Sequence, residues 1–520
     1  MTGTFALLRL VLRRDRLLMP LWIVALTAAP MGYLSSIEAA YPDAASRQHF
    51  YDLNAASATF VVRNGPLYGS SVGNLLAWQC GFVPVVAGLI ALLTVIRHTR
   101  TEEEAGRREL TGATVVGRHA GLAAAVLAAC GASLGYGLLV GAGLAAQGVP
   151  VAGAFALGLG FSLCGWVFAG VGAVAAQLTW GASGARGIGI GGLVLAFLLR
   201  AAGDSSDSAG WLAWLSPIGW AHRLRPFAGE RWWVLALGVF ATVLFFAAAV
   251  LLSARRDLGA ALLPARLGRA TAKASLRSPW ALAWRLQRGT LVVWTGCLAL
   301  IGLLMGGVAQ NVTGMMRDNP AVAEVFSRVG GGGAVTDAYL AGTMTLFGLA
   351  AAGYAVQATL KLRAEEAAGR AEPVLATAVG RLGWASAHGL FAVLGSTFLL
   401  AVTGLATGAA YGTGASLVPA ALAQLPAVWV LAGLAVALIG FAPRFAAAAW
   451  GLLGAFLLLS LVGTALRWSP AVLGISPFQH LARLPGGTFS LPPVLWLVLI
   501  AGAAGAVGLI ALRRRDIPVG

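Results

Sequence analysis

Apolar stretches of about 20 residues recur along the whole chain, the number that crosses roughly 30 Å of hydrocarbon as a helix. They fall near residues 17 to 36, 76 to 96, 122 to 146, 152 to 177, 186 to 202, 232 to 252, 290 to 309, 339 to 360, 386 to 411, 417 to 441, 445 to 465 and 492 to 512. A backbone in lipid must satisfy its own polar groups, so about twelve such runs dictate an all-α polytopic membrane protein. Of the 520 residues 58% are hydrophobic and only 11% charged, which leaves too little polar surface for a separate large soluble domain.

A formal charge of +17 could indicate a nucleic-acid partner, but the placement of the charges decides otherwise. With the N-terminus inside, the cytoplasmic segments collect Arg9, Arg13, Arg14 and Arg16, then Arg97 to Arg118, Arg255 to Arg288, Lys361 to Arg381, and Arg513 to Arg515. The outer loops hold few bases, offset by acids. The excess therefore records topology, with both termini cytoplasmic, and no nucleic acid is implied. Only Lys273 and Lys361 among the 36 basic residues are lysine, a bias that fits a high-GC bacterium and hence a bacterial cytoplasmic membrane. The first apolar run follows a basic start, as in a cleavable signal, but a similar helix recurs in mid-chain and argues for a retained span.

The chain aligns to itself. Arg100-Thr-Glu102-Glu103-Glu-Ala-Gly106-Arg107-Arg-Glu109 matches Arg363-Ala-Glu365-Glu366-Ala-Ala-Gly369-Arg370-Ala-Glu372 without gaps at an offset of 263, and the match continues to Arg118 and Arg381. Ser216-Pro217 matches Ser476-Pro477 at an offset of 260, Arg256-Asp257 matches Arg515-Asp516 at 259, and Arg13, Arg16 and Trp22 match Arg285, Arg288 and Trp294 at 272. Each copy thus holds six spans, and an even number gives both copies the same orientation, a parallel repeat about an axis along the membrane normal. The expected organisation is a first six-helix repeat over 1–253, a basic linker and connecting helix over 254–288, and a second six-helix repeat over 289–520.

All 19 carboxylates lie in loops or at span ends, none within the membrane, and seven of them (Glu102, Glu103, Glu104, Glu109, Glu365, Glu366, Glu372) sit in the two repeated loops. Ion-driven carriers usually keep ionisable groups at mid-membrane despite their cost, so this placement argues against such a carrier. The first loop reads as a short helix, with Thr101 and Glu104 as a capping box and Glu103–Arg107 and Glu104–Arg108 at i,i+4 spacing. In the second copy Ala364 and Ala367 remove the capping box, while Glu366 and Arg370 keep one pair. A single charged run of this kind is ordinarily a solvated face. Its retention in both copies favours a contact surface.

Other signals are bland. The four cysteines (Cys80, Cys130, Cys164, Cys297) lie in apolar runs without close spacing, and the six histidines are scattered, so neither a disulfide framework nor a metal site is implied. No G-x-x-x-x-G-K-[ST] occurs, and Gly330 to Gly333 lacks a phosphate-binding lysine and reads as a flexible outer loop. Asn311-Val-Thr313 fits a glycosylation sequon that carries little weight in a bacterial chain.

The R-x-E-E-x-x-G-R loop between the second and third spans of each half, the late Ser-Pro segment and the basic helix before the first span resemble the permease subunit of actinobacterial ABC exporters of polyketide antibiotics, the tetronasin-type group. The resemblance covers essentially the whole chain. It implies an ABCA/ABCG-like membrane domain in which Glu102, Glu103, Gly106 and Arg107, with Glu365, Glu366, Gly369 and Arg370, lie on coupling helices that dock a separate ATPase. Two copies of that ATP-binding subunit would hold ATP and Mg, no cofactor or bond chemistry residing in this chain. It also implies that Arg9, Arg13 and Arg16 belong to an amphipathic connecting helix, and that the Ser-Pro segments after Trp211, Trp214 and Trp468 form short re-entrant helices; from the residues alone an interfacial turn is equally open. Missing caps in the second copy imply unequal docking sites.

Asn74, Trp78 and Gln79 in the first half and Tyr354 and Gln357 in the second are candidates for a substrate path for a hydrophobic small molecule, against the commoner roles of belt and interhelical bonding. An ion-coupled multidrug carrier and a non-transporting scaffold or lipid-handling protein remain alternatives. Reversing the charges of Glu103 and Arg107, or of Glu366 and Arg370, is expected to abolish ATPase capture in co-purification while membrane insertion is kept.

Overall fold

A computed structural model describes residues 2–516 apart from 56–57, 113, 206, 257–260, 263–270, 272–275, 319–331 and 461–468. It divides into two compact units, Met1–Gly268 and Arg269–Gly520. In the first unit the helices are α1 (Thr4–Arg14), α2 (Leu18–Ala40), α3 (Ala44–Asn54), α4 (Ala58–Asn64), α5 (Val72–Gln79), α6 (Val83–His98), α7 (Arg100–Glu104), α8 (Arg107–Gly112), α9 (Ala120–Ala146), α10 (Val151–Leu178), α11 (Ala182–Asp204), α12 (Pro217–Arg223) and α13 (Trp233–Ala254).

Helix α10 is the axis of this unit, with α6, α9, α11 and α13 packed around it. Small residues permit the approach. A Cβ on Gly158 would lie 2.0 Å from the Gly137 carbonyl oxygen, so α9 and α10 touch backbone to backbone. Ser162 Oγ donates to Ser133 O at 2.8 Å and Trp166 Nε1 to Cys130 O at 3.1 Å across the same seam. The periphery is apolar and bare: Leu21 and Val24 on α2 and Phe240 and Val243 on α13 are exposed, a belt that only lipid would cover.

The second unit contains α14 (Pro279–Asp318), α15 (Gly332–Ala367), α16 (Ala371–Leu375), α17 (Arg381–Tyr411), α18 (Val418–Leu422), α19 (Leu425–Phe441), α20 (Ala448–Leu458), α21 (Pro470–Leu473) and α22 (Leu491–Arg514). Here α15 is the buried helix, against α14, α17 and α19, while α14 lies along α17 and α22 along α19. Gly508 and Gly440 make the last contact close, a Cβ on Gly440 falling 2.3 Å from the Gly508 carbonyl oxygen.

Ten helices among the described residues are long and apolar enough to cross a membrane, and an eleventh crossing arises if Gly414–Leu422 and Leu425–Phe441, bent by 40°, form one broken span. The chain is thus a polytopic helical membrane protein. The expected span at 445 to 465 is represented by Ala448–Leu458, too short to cross, and its continuation at 461–468 lies outside the described residues, as does Trp468. Asp257 and Gly330 are also outside them, as is the middle of the linker.

The Ser-Pro segments differ between units. Ser216 caps α12, accepting from Gly219 N at 3.3 Å and donating to Ala196 O at 2.7 Å, and Ile218 and Ala221 are buried against the core. Ser476-Pro477 opens only a 3-10 turn, Pro477–His480. Near α12, Asp204 does sit at a span end, yet it is buried rather than solvated. It meets Arg223 at 3.0 Å and Arg200 and His222 at 3.9 Å each. Arg200, itself fully buried, donates to Val61 O and Arg63 O and ties α4 to α11.

Gly158→Ala is expected to lower the melting temperature of the detergent-purified chain, overpacking costing about 1–3 kcal/mol. Gly131→Ala, on the same helix pair but facing open space, should leave it unchanged.

Candidate functional site

Both repeated loops turn on a glycine. Gly106 has φ 70° and Gly369 φ 68°, and a Cβ at either would meet open space, so the need is for left-handed backbone and not for room. The glycine ends the preceding helix and returns the next residues toward it. The pairs that form are therefore one residue longer than an unbroken helix would make. Arg107 grips Glu102 with Nε–Oε2 at 2.7 Å and Nη2–Oε1 at 2.8 Å, and Arg370 grips Glu365 at 2.8 and 3.1 Å. The expected i,i+4 pairs Glu103–Arg107, Glu104–Arg108 and Glu366–Arg370 are replaced by these forks.

The capping box is also absent. Thr101 lies inside α7 and donates to Ile96 O at 3.4 Å, while Glu104 accepts from Ala182 N at 3.0 Å and so caps the first turn of α11. Ala367 occupies the matching place in the second unit and offers no such acceptor. The second unit differs in another way: α15 runs straight to Ala367, whereas the first unit breaks at Thr99 (φ −118°, ψ −82°) between α6 and α7.

The second glutamate of each motif points inward. Glu103, 4% exposed, takes a bidentate grip from Arg256 (2.7 and 2.9 Å) and an ion pair from Arg100 at 3.0 Å. Glu366, 1% exposed, takes Arg515 at 2.8 Å and Arg363 at 3.2 Å. Arg256 also reaches Gln177 Oε1 at the end of α10, and Arg100 bonds Trp180 O at 2.6 and 3.0 Å. Arg118 donates to Ser253 O and Arg256 O, and Arg381 to Arg513 O and Arg515 O, each covering the carbonyl end of the last span in its unit. In both units one clamp joins the loop, the third span and the last span.

The motif thus has two faces. Arg107 and Arg370, with side chains 51% and 58% exposed, are its outward cations, and Glu102 and Glu365 orient them. Burial lowers the Arg108 pKa, which Glu103 opposes and the neighbouring Arg256 and Arg100 reinforce. Sequence reading did not pick out Arg256, Arg515, Arg118 and Arg381 as partners, although all four are aligned positions of the repeat. Hydropathy carries no trace of which carboxylate each would meet.

On the connecting helix, Arg9, Arg13 and Arg16 are exposed; Arg14, not one of the expected three, pairs with Glu102 at 2.7 Å. Asn74 and Trp78 line a cavity of about 30 Å³ that also touches Asn64, Tyr68 and His222, a volume for little more than water. Trp78 Nε1 donates to Gly65 O, and its ring packs on Phe50 and Phe60; Gln79 lines a neighbouring cleft. Tyr354 is buried against Gly395, and Gln357 accepts from Trp294 Nε1 at 2.8 Å. The first three residues belong to one unit and the other two to the second, each engaged within its own unit.

An apolar helical belt around buried seams, with a doubled charged loop at one end, defines a multi-pass membrane protein. Residues 276–513 match the family model described as the C-terminal domain of the multidrug efflux system permease Rv1217c. Over 526 aligned residues the chain is 43% identical to the multidrug efflux system permease protein Rv1217c of Mycobacterium tuberculosis, covering 99% of this chain and 95% of that protein. The chain belongs to this family of multidrug efflux system permeases.

Glu103→Gln leaves buried Arg256 and Arg100 without their counter-charge and is expected to destabilise the first unit by about 3–5 kcal/mol. Glu102→Gln, which releases Arg107 and Arg14, both about half exposed, should lower the melting temperature much less, because water reaches both guanidinium groups. Equal shifts for the two variants would refute the division of the motif into an inner and an outer face.

Proposed function

We propose that this chain is the permease of an ATP-driven exporter that expels hydrophobic or amphiphilic drugs from a bacterial cell, both termini facing the cytoplasm. The relative's name speaks for drug efflux. The observation that supports ATP coupling is the doubled loop: each copy presents an oriented arginine outward while its second glutamate is clamped to the last span of the same unit. A subunit pressing on Arg107 or Arg370 would thereby move whole helices. Two such faces fit two copies of an ATP-binding subunit, which would bring ATP and Mg, while this chain performs no bond chemistry itself. The halves would act as parallel six-helix repeats, and a polyketide of the tetronasin type is one cargo of suitable chemistry.

Ion coupling is the competing reading. Asp204 is the buried carboxylate it would need at a span end, but Arg200, Arg223 and His222 surround it, so it is engaged in holding α11 and α12 rather than open to a passing cation.

Because Glu103 and Glu366 belong to the clamps, the outward arginines are the cleaner probes. In the native host, Arg107→Glu combined with Arg370→Glu should reduce the co-purifying ATPase and drug efflux at unchanged membrane abundance. Efflux that survives blocked ATP hydrolysis and stops with an uncoupler would establish the carrier instead.

A further inference from the structure

Helix α1 is fixed at both ends and packs along α9 between them. At its start, Gly117 N donates to Thr2 O at 2.9 Å. At its finish, Asp15 is buried between His98 at 2.6 Å and Arg97 at 3.2 Å. Under this bridge lies a cavity of about 470 Å³, walled by Leu7, Leu10 and Val11 of α1 on one side and by the α7 to α9 region on the other.

Four arginines line it, Arg14, Arg107, Arg108 and Arg118, against one acid, Glu102. Glu102 is already taken by Arg14 and Arg107. The cavity therefore holds a surplus of positive charge in a partly enclosed volume, which favours an anion that can receive several guanidinium bonds. The other wall gives the second half of the chemistry. Leu10 is half exposed, and Phe5, Leu12, Leu17 and Leu18 continue an apolar surface along and beyond α1, with Arg9, Arg13 and Arg16 beside them. A helix with bare leucines and arginines lies in a headgroup layer.

We propose that this cavity binds the phosphate headgroup of one anionic phospholipid, whose acyl chains run along the apolar face of α1. The phosphodiester would sit among Arg14, Arg108 and Arg118, chemistry that a free phosphate shares, but only a lipid would also use the leucine wall. The second unit lacks the site: at the repeat offsets of 272 and 263, Leu286 and Ala371 stand where Arg14 and Arg108 do, and α14 runs unbroken in place of the α1–α2 turn. One lipid per chain follows. The cavity shares Arg107 with the face proposed for the ATPase, but lipid binding involves only this chain and the bilayer and is tested without ATP.

Native mass spectrometry of the full chain, delipidated and titrated with phosphatidylglycerol or phosphatidylcholine, should show one phosphatidylglycerol bound in clear preference. Arg14→Gln with Arg108→Gln should weaken it by about thirtyfold, two charges each contributing as basic residues do near an anionic surface. Val11→Glu, which leaves every arginine in place, should weaken it as well, and covers the case in which the double variant does not fold. Inorganic phosphate at the lipid's concentration should fail to displace it. Equal binding of both lipids, full retention by a folded variant, or displacement by inorganic phosphate would overturn the proposal.

Discussion

A carboxylate held out of water by arginines from the far end of its own unit is the interaction on which this architecture turns. Glu103 lies well over a hundred residues before Arg256, as Glu366 does before Arg515, so each contact closes a long loop of chain. In a medium of reduced polarity neither partner can be left alone, and the ends of separate helices are brought into one arrangement. Small-residue seams such as Gly137 against Gly158 bring neighbouring helices to backbone contact. The charged clamp fixes how the ends of helices distant in sequence meet.

The clamp explains why one motif serves two purposes. The inner glutamate is structural, and the outer glutamate–arginine fork is presentational. They are adjacent in sequence, and the left-handed glycine turns the fork away from the clamp. Replacing that glycine by any residue with a side chain would strain the turn and carry the outer arginine out of register with its carboxylate.

Much of this was legible beforehand. Hydropathy located ten of the spans, and an eleventh as a bent pair, because lipid imposes length and composition directly, and self-alignment located Glu103, Glu366, Arg256 and Arg515 as matched positions. Their bonds were not legible, since i,i+4 spacing assumes a continuous helix and Gly106 and Gly369 interrupt it. Glu104 was assigned to its own helix although it caps α11, because a cap supplied from 78 residues away leaves no local pattern. The substrate-path residues were chosen for polarity, and polarity did not distinguish a lining residue from Gln357, bonded to Trp294, or from Trp78, packed among aromatic rings. Asp204 was correctly put at a span end, but its burial depends on Arg200 and Arg223, which converge only in the fold.

The break at Thr99 has a mechanical meaning. In the second unit the loop is the tip of α15, a single 36-residue helix and hence a rod of about 54 Å, so a push at Arg370 would travel the full length undamped. In the first unit the same push meets a joint, and part of it would be absorbed as bending before it reaches α6. Under the coupling proposed above, one half would serve as a piston and the other as a knee, and a symmetric motor would obtain an asymmetric stroke.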